Sequence, residues 1–373
     1  MIRVFAFLYL ILFSLCLPAQ ENKISYLSKN SIAYTTTCVS ALDSENYSVY
    51  FAGELHGDST ARYLELDLLK RLYRDHHIKY YVLEEPSGVA NLINEYLQTG
   101  DDKKLEQLLY YSILPKKGER VFFRDLRNFW ISLPEHERFK IAGIDVNAYR
   151  ADAVVELVDL YPDKEFDFDK GLLNDLLRLY YKRRSPRKKT LKVLQELDRQ
   201  IRADSTMFAG YLQGNFKLFV HLLQGSLIGI EDAGWIDAIG MERREQYMYE
   251  NVKAILEKYP DAKLFCQFGR AHVVRQYQTN WLHLQEWKSL AARLNTNPDS
   301  PVKGKVCTVL YYNTSYIKHE TKVYKVPLIQ PEDRPLFLNA SPAPVVLFKL
   351  DAEGSPFMDM AERFQYLMLI KDK

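Results

Sequence analysis

Four short stretches of this chain end in side chains suited to moving protons. Gly53-Glu54-Leu55-His56-Gly57 sets a carboxylate two positions before an imidazole, and Glu84-Glu85-Pro86 closes an apolar run with acid. Gly143-Ile144-Asp145 ends another run, with Asn147 two positions later, and Phe268-Gly269-Arg270-Ala271-His272 ends a further one in an imidazole. An imidazole near its reference pKa of about 6.5 exchanges protons at neutral pH, and a neighbouring carboxylate orients it. Two carboxylates with two imidazoles could equally ligate a divalent ion. Each stretch also has a plainer reading. His56 beside Glu54 could form a structural turn between glycines, Glu85 suits a helix cap better than Glu84, Asp145 could cap the next helix, and His272 could be a satisfied core histidine. Glu84 is harder to dismiss, because a carboxylate closing an apolar strand is costly unless paired. His76, His77, His136, His221, His283 and His319 lie without matching partners.

The elements that would carry these residues emerge from hydrophobic periodicity. Short β-rich runs at 48–53, 80–83, 139–145, 262–268, 306–312 and 345–350 predict strands, and 364–370 predicts a last one. Leu64, Leu68, Leu69 and Leu72 recur at helical spacing, as do Val89, Ile93, Tyr96 and Leu97 after Pro86, which suits a first helical turn. Helices are also predicted over 121–132 and 241–257. Strands alternating with helices imply an α/β fold with a largely parallel central sheet flanked by helices. Ligands of such sheets bind beyond the carboxyl ends of the strands, where the four stretches fall. Between 151 and 230 the rhythm turns wholly helical, with Leu172, Leu173, Leu176, Leu177 and Leu179 on one side of a basic run at 182–189. That run reads as a solvated loop. The segment reads as a helical insertion capping the strand ends within a single α/β domain over 20–373.

The ordered set resembles the erythromycin esterase and ChaN/TIKI-like superfamily. Gly53-Glu54-Leu55-His56-Gly57 before a helix is similar to its opening motif, and Tyr80-Tyr81-Val82-Leu83-Glu84 to its second strand. The segment 91–100, ending Tyr96-Leu97-Gln98-Thr99-Gly100, resembles the family's stretch after that strand, and Gly143-Ile144-Asp145 its next strand end. Arg244-Glu245-Gln246-Tyr247-Met248, running to Asn251, is similar to the family's Arg-acid-x-x-Met helix, and Gly269-Arg270-Ala271-His272 to its late Gly-x-x-His end. The match touches most of 48–312. One residue separates Glu54 from His56 where esterases usually have two, a spacing nearer the ChaN-like branch. The aromatic and asparagine neighbours of the esterases' late histidine are missing, whereas the long insertion is more typical of the esterases.

The resemblance implies a hydrolase. His56 would take a proton from water attacking an ester or lactone, Glu54 or Glu84 would orient the imidazole, and Arg244 and His272 would face the developing oxyanion. Asp145 and Asn147 would bind substrate, a small molecule. No cofactor is required in this reading. The alternatives are a haem- or other ligand-binding ChaN-like protein, and a TIKI-like peptidase with a divalent metal held by Glu54, His56, Glu84 and His272. Tyrosine and histidine are both haem ligands, but tyrosines spread through strands are ordinary core and rim residues.

Composition is that of an ordinary globular protein, with 373 residues, 47% hydrophobic and 26% charged. The net charge of +2 supplies no field for nucleic acid or anionic membranes. Arg3 followed by an apolar run over 4–17 and by Leu17-Pro18-Ala19 predicts a secretory signal peptide over 1–19, cleaved near Ala19. An apolar helix of that length spans about 21 Å, short of a hydrocarbon core of ~30 Å. Export to the periplasm, with no stable membrane span afterwards, is therefore expected. Cys16 would leave with the leader. Cys38, Cys266 and Cys307 make no disulfide framework, and the last two read as small buried hydrophobes.

Overall fold

Val49–Glu54 (β2), Leu264–Gly269 (β5) and Val306–Asn313 (β6) are parallel neighbours, with β2 in the middle. Every residue of the three is buried except Glu54 at the tip of β2. Near-continuous apolar runs are what a parallel strand covered on both faces requires. In this computed structural model the described residues are 20–34, 42, 47–56, 59–111, 116–147, 150–162, 171–182, 186–231, 238–275, 277–278, 287–314 and 329–371. The predicted leader, Cys38, Gly57, His283, His319 and the middle of the basic run lie outside them.

The chain resolves into two compact units. The first comprises 1–78, 261–283 and 291–373, and the second 79–260 and 284–290. In the first, Ser31–Ala33 (β1), Val345–Lys349 (β7) and Tyr366–Ile370 (β8) extend the sheet in the order β1-β7-β8-β6-β2-β5. Pairing is parallel from β8 to β5 and antiparallel at β1 and β7. The short edge strand β1 carries little periodicity and escapes sequence reading. Ser59–His76 (α1) packs on the face bearing Tyr50, whose ring stacks on His76 with centroids 4.9 Å apart. Cys266 and Cys307 are fully buried in β5 and β6, as their apolar settings predict.

Gly53 has a role other than the turn expected of it. It lies within β2, and a Cβ there would stand 3.2 Å from the Arg270 backbone and 3.3 Å from the Val273 side chain. Its missing side chain admits the short helix Arg270–Val273, which comes directly after β5.

In the second unit Tyr80–Leu83 (β3) and Lys140–Gly143 (β4) form a parallel pair. Ser87–Thr99 (α2) buries Ala90, Ile93, Tyr96 and Leu97 at helical spacing and ends where Gly100 adopts a left-handed conformation. Pro86 is the N-cap residue of α2, one place before its first turn. Asn94 locks α2 to β4, donating to the Ile141 carbonyl at 2.9 Å and accepting from its N–H at 3.0 Å. Asp102–Tyr111 (α3) and Lys116–Ser132 (α4) come next, α3 being a helix the periodicity does not suggest.

The all-helical stretch comprises Arg150–Asp159 (α5), Gly171–Lys182 (α6), Arg187–Ala203 (α7), Thr206–Leu212 (α8) and Phe216–Glu231 (α9). They share an apolar core that includes Leu157, Leu176, Leu194 and Phe219, each fully buried. Leu173, Leu176, Leu177 and Leu179 are buried, and Leu172 partly so. Ala238–Lys258 (α10) completes the unit. No helix among the described residues is long and apolar enough to cross a membrane.

Candidate active site

In the first unit, β2 delivers Glu54 to the carboxyl end of the sheet, and the chain turns at His56. His56 Nδ1 lies 3.3 Å from Glu54 Oε1. The second carboxylate oxygen accepts a hydrogen bond from Gln267 Nε2 on β5 at 3.0 Å. The imidazole is 54% exposed and the carboxylate 14%, so one group meets solvent while the other is mostly withdrawn from it. With Nδ1–H donating to Glu54, Nε2 is left as the basic nitrogen.

The register of β2 and β6 sets Tyr311 beside Glu54 on the same sheet face. Burial, then the proximity of Tyr34, Glu65 and Glu54, holds the Tyr311 phenol protonated well above its ordinary range. Glu65 of α1 is fully buried and takes both its oxygens to Arg62, one turn earlier. His272 lies three residues past β5, 3% exposed, its ring edge-on to Phe268 with centroids 6.2 Å apart.

In the second unit, Glu84 and Asp145 lie just past β3 and β4. The two strand ends are tied closely: the Asp145 N–H donates to the Glu85 carbonyl at 3.0 Å, and a Cβ on Gly143 would stand 2.4 Å from the Pro86 oxygen. Both carboxylates close on Arg244 of α10. Nε donates to Asp145 Oδ1 at 2.8 Å, and Nη2 to Glu84 Oε1 at 2.6 Å and to Asp145 Oδ2. Arg244, Tyr247, Met248 and Asn251 recur at three- and four-residue spacing and so share one face of the helix. Asn251 anchors that face on the Ile144 carbonyl at 2.8 Å. Burial works against the Arg244 charge, but the Asp145 carboxylate, joined by Glu84 and Glu245, outweighs it and raises the guanidinium above its ordinary range. The structure thus gives Arg244 the work of holding two carboxylates.

Asn147 turns to Glu156 of α5, donating from Nδ2 at 2.8 Å. The other Glu156 oxygen accepts from the Gly88 N–H in the first turn of α2. An acid there satisfies an orphan donor and the helix dipole, a task sequence reading gives to Glu85. Burial first, and then Glu156 and Asp145 against an opposing hydrogen bond with Asn251, keeps the Tyr247 phenol protonated. Its hydroxyl lies 3.0 Å from His221 Nε2, the two rings stacked.

Sequence reasoning missed Gln267, Tyr311, Glu65 and Glu156. Gln267 left a faint signal, a lone amide inside Leu264-Phe265-Cys266-Gln267-Phe268. Glu156 left none, because its partners depend on how α5 packs. Among the described residues, no group of three or more His, Cys, Asp or Glu side chains is placed to hold a metal ion.

No protein-family profile and no curated protein sequence matches the chain. Solved structures do. A histidine-to-asparagine mutant of the erythromycin esterase EreC, in its open conformation, superposes with a TM-score of 0.63 over 87% of this chain and 90% of its own, at 12% identity. The chain has the erythromycin esterase fold. A succinoglycan biosynthesis protein shares that fold, with a TM-score of 0.59 at 14% identity over 94% of this chain and 97% of its own. So does a Bacillus cereus protein, with a TM-score of 0.57 at 15% identity over 95% and 97%. The His56–Glu54 pair sits at the carboxyl end of β2 in this fold.

Proposed function

We propose that this protein is a hydrolase of esters or lactones in which His56 is the general base. The observation that carries the reading is the contact of His56 Nδ1 with Glu54 Oε1 at 3.3 Å, at the carboxyl end of β2. Water approaching an ester carbonyl gives its proton to His56 Nε2, and the carbonyl oxygen takes up the negative charge. The imidazolium is stabilised by the Glu54 carboxylate at Nδ1. Collapse of the intermediate returns the proton to the leaving alkoxide, yielding acid and alcohol. His272 remains the candidate donor to the oxyanion. Arg244 is assigned a positioning role, since its contacts with Asp145 and Glu84 commit it to them. Erythromycin esterase activity in a protein of the same fold adds to the case.

Export forms part of the same proposal, supported by the leader-like residues 1–19. The test is a panel of aliphatic esters and lactones monitored by proton release in a pH-stat. Acid release that falls on the acidic side as a single imidazole is protonated supports the reading. No release from any member of the panel would defeat it.

A further inference from the structure

Glu54 is central to the proposed chemistry, and the residue that holds it belongs to no motif. Gln267 lies opposite Ala52 in the β2–β5 register, which puts it on the Glu54 face of the sheet. Its Nε2 donates to Glu54 Oε2 at 3.0 Å. Gln267 is only 4% exposed, and its buried Oε1 has no hydrogen-bond partner among the described residues. A buried amide with one end unpaired lowers stability where an apolar side chain of similar size would not. Turning the amide over would set its oxygen against the carboxylate, so the donor end must face Glu54. The fold therefore keeps an amide in an apolar strand at a cost, at a place where it touches Glu54.

We propose that Gln267 is a positioning residue for the His56–Glu54 pair. By occupying Oε2 it presents Oε1 to the Nδ1 proton of His56, and so fixes the tautomer whose Nε2 is the base. The kinetic consequence rests on the hydrolytic reading; the positioning itself does not. Among the described residues, the titratable groups around Glu54 include Tyr311 on β6 and, close to Tyr311, Glu65 and Asp67 on α1 with Tyr34, while the Arg270 backbone packs against Gly53. All remain in a Gln267 variant, so a change there reports on the amide. Without its donor, Glu54 can swing away from His56, and misplacing such a group by about 1 Å costs on the order of 100-fold in rate.

The test compares Gln267→Met and Glu54→Gln with the unaltered protein. Three quantities are read: ester kinetics, the His56 titration by NMR of 13C-labelled histidine (assigned with His56→Ala), and the thermal midpoint. Gln267→Met should lower kcat about 10- to 100-fold with KM changed less than about threefold. Its His56 pKa should fall, as in Glu54→Gln, because the imidazolium loses its carboxylate partner. Its thermal midpoint should stay level or rise. Unchanged kcat and His56 pKa would overturn the proposal, as would a lowered midpoint with His56 titrating normally, the mark of a merely structural glutamine. If the unaltered protein hydrolyses no ester, the hydrolytic reading fails alone, and the titration still decides whether Gln267 governs the pair.

Discussion

Arg244 Nη2 lies 2.6 Å from Glu84 Oε1, joining residues 160 positions apart while Nε of the same guanidinium holds Asp145 at 2.8 Å. One buried cation thus fastens the ends of β3 and β4 to α10. Removing it takes from two carboxylates, both mostly withdrawn from water, the guanidinium that they share. Arg244→Met should therefore cost about 3–5 kcal/mol of unfolding free energy. Arg244→Lys should recover only part of it, because an ammonium cannot reproduce the planar fork. Urea unfolding of both variants measures this, and a loss below about 1 kcal/mol in Arg244→Met would count against the arrangement.

Tyr311 should behave in the opposite sense. Its hydroxyl is buried without a hydrogen-bond partner among the described residues, so Tyr311→Phe removes a desolvated polar group and keeps the ring. Stability should hold or rise by up to about 1 kcal/mol. A clear loss in the same urea experiment would show that the hydroxyl is bonded.

His221 gives a pH dependence of known sign. Burial lowers its pKa in the folded state, where it stacks against Tyr247. The unfolded chain then binds the proton more readily. The contribution is fully present above the unfolded pKa of about 6.5 and is lost as pH falls through the depressed folded value. The thermal midpoint should fall between about pH 7 and 5, and less steeply in His221→Phe. Equal slopes would remove His221 from the account.

Gly143 tests the coupling of the two strand ends. A methyl group there would collide with the Pro86 carbonyl oxygen, so Gly143→Ala must push the Asp145 loop away from the loop after β3. A loss of about 1–3 kcal/mol is expected, typical of overpacking. Gly118, with nothing within 4 Å of a Cβ, is the control: Gly118→Ala should hold or gain stability in the same urea comparison, since alanine is the better helix former.

Much of this fold could be read in the residues. The strands announce themselves because β2, β5 and β6 are buried along almost their whole length and so are nearly continuous in apolar residues. Glu54 and His56 were legible because a single residue of chain, Leu55, already holds them near each other. The partners of Glu84 and Asp145 were not, since nothing local links them to Arg244 until α10 docks. Gly53 reads as a turn because a glycine that admits a neighbouring helix and one that bends the chain look alike in sequence. Gln267 and Glu156 act through contacts across strands and helices, which no periodicity encodes.

Whether His56 is the base is decided by kcat/KM for ester hydrolysis by the purified protein and by His56→Ala, each with and without a chelator. The imidazole is half exposed, so its removal should leave the thermal midpoint nearly unchanged. Hydrolysis that survives the chelator and falls at least ~100-fold in His56→Ala is the predicted result. Activity indifferent to His56, or lost to the chelator and restored by one particular ion, would contradict it.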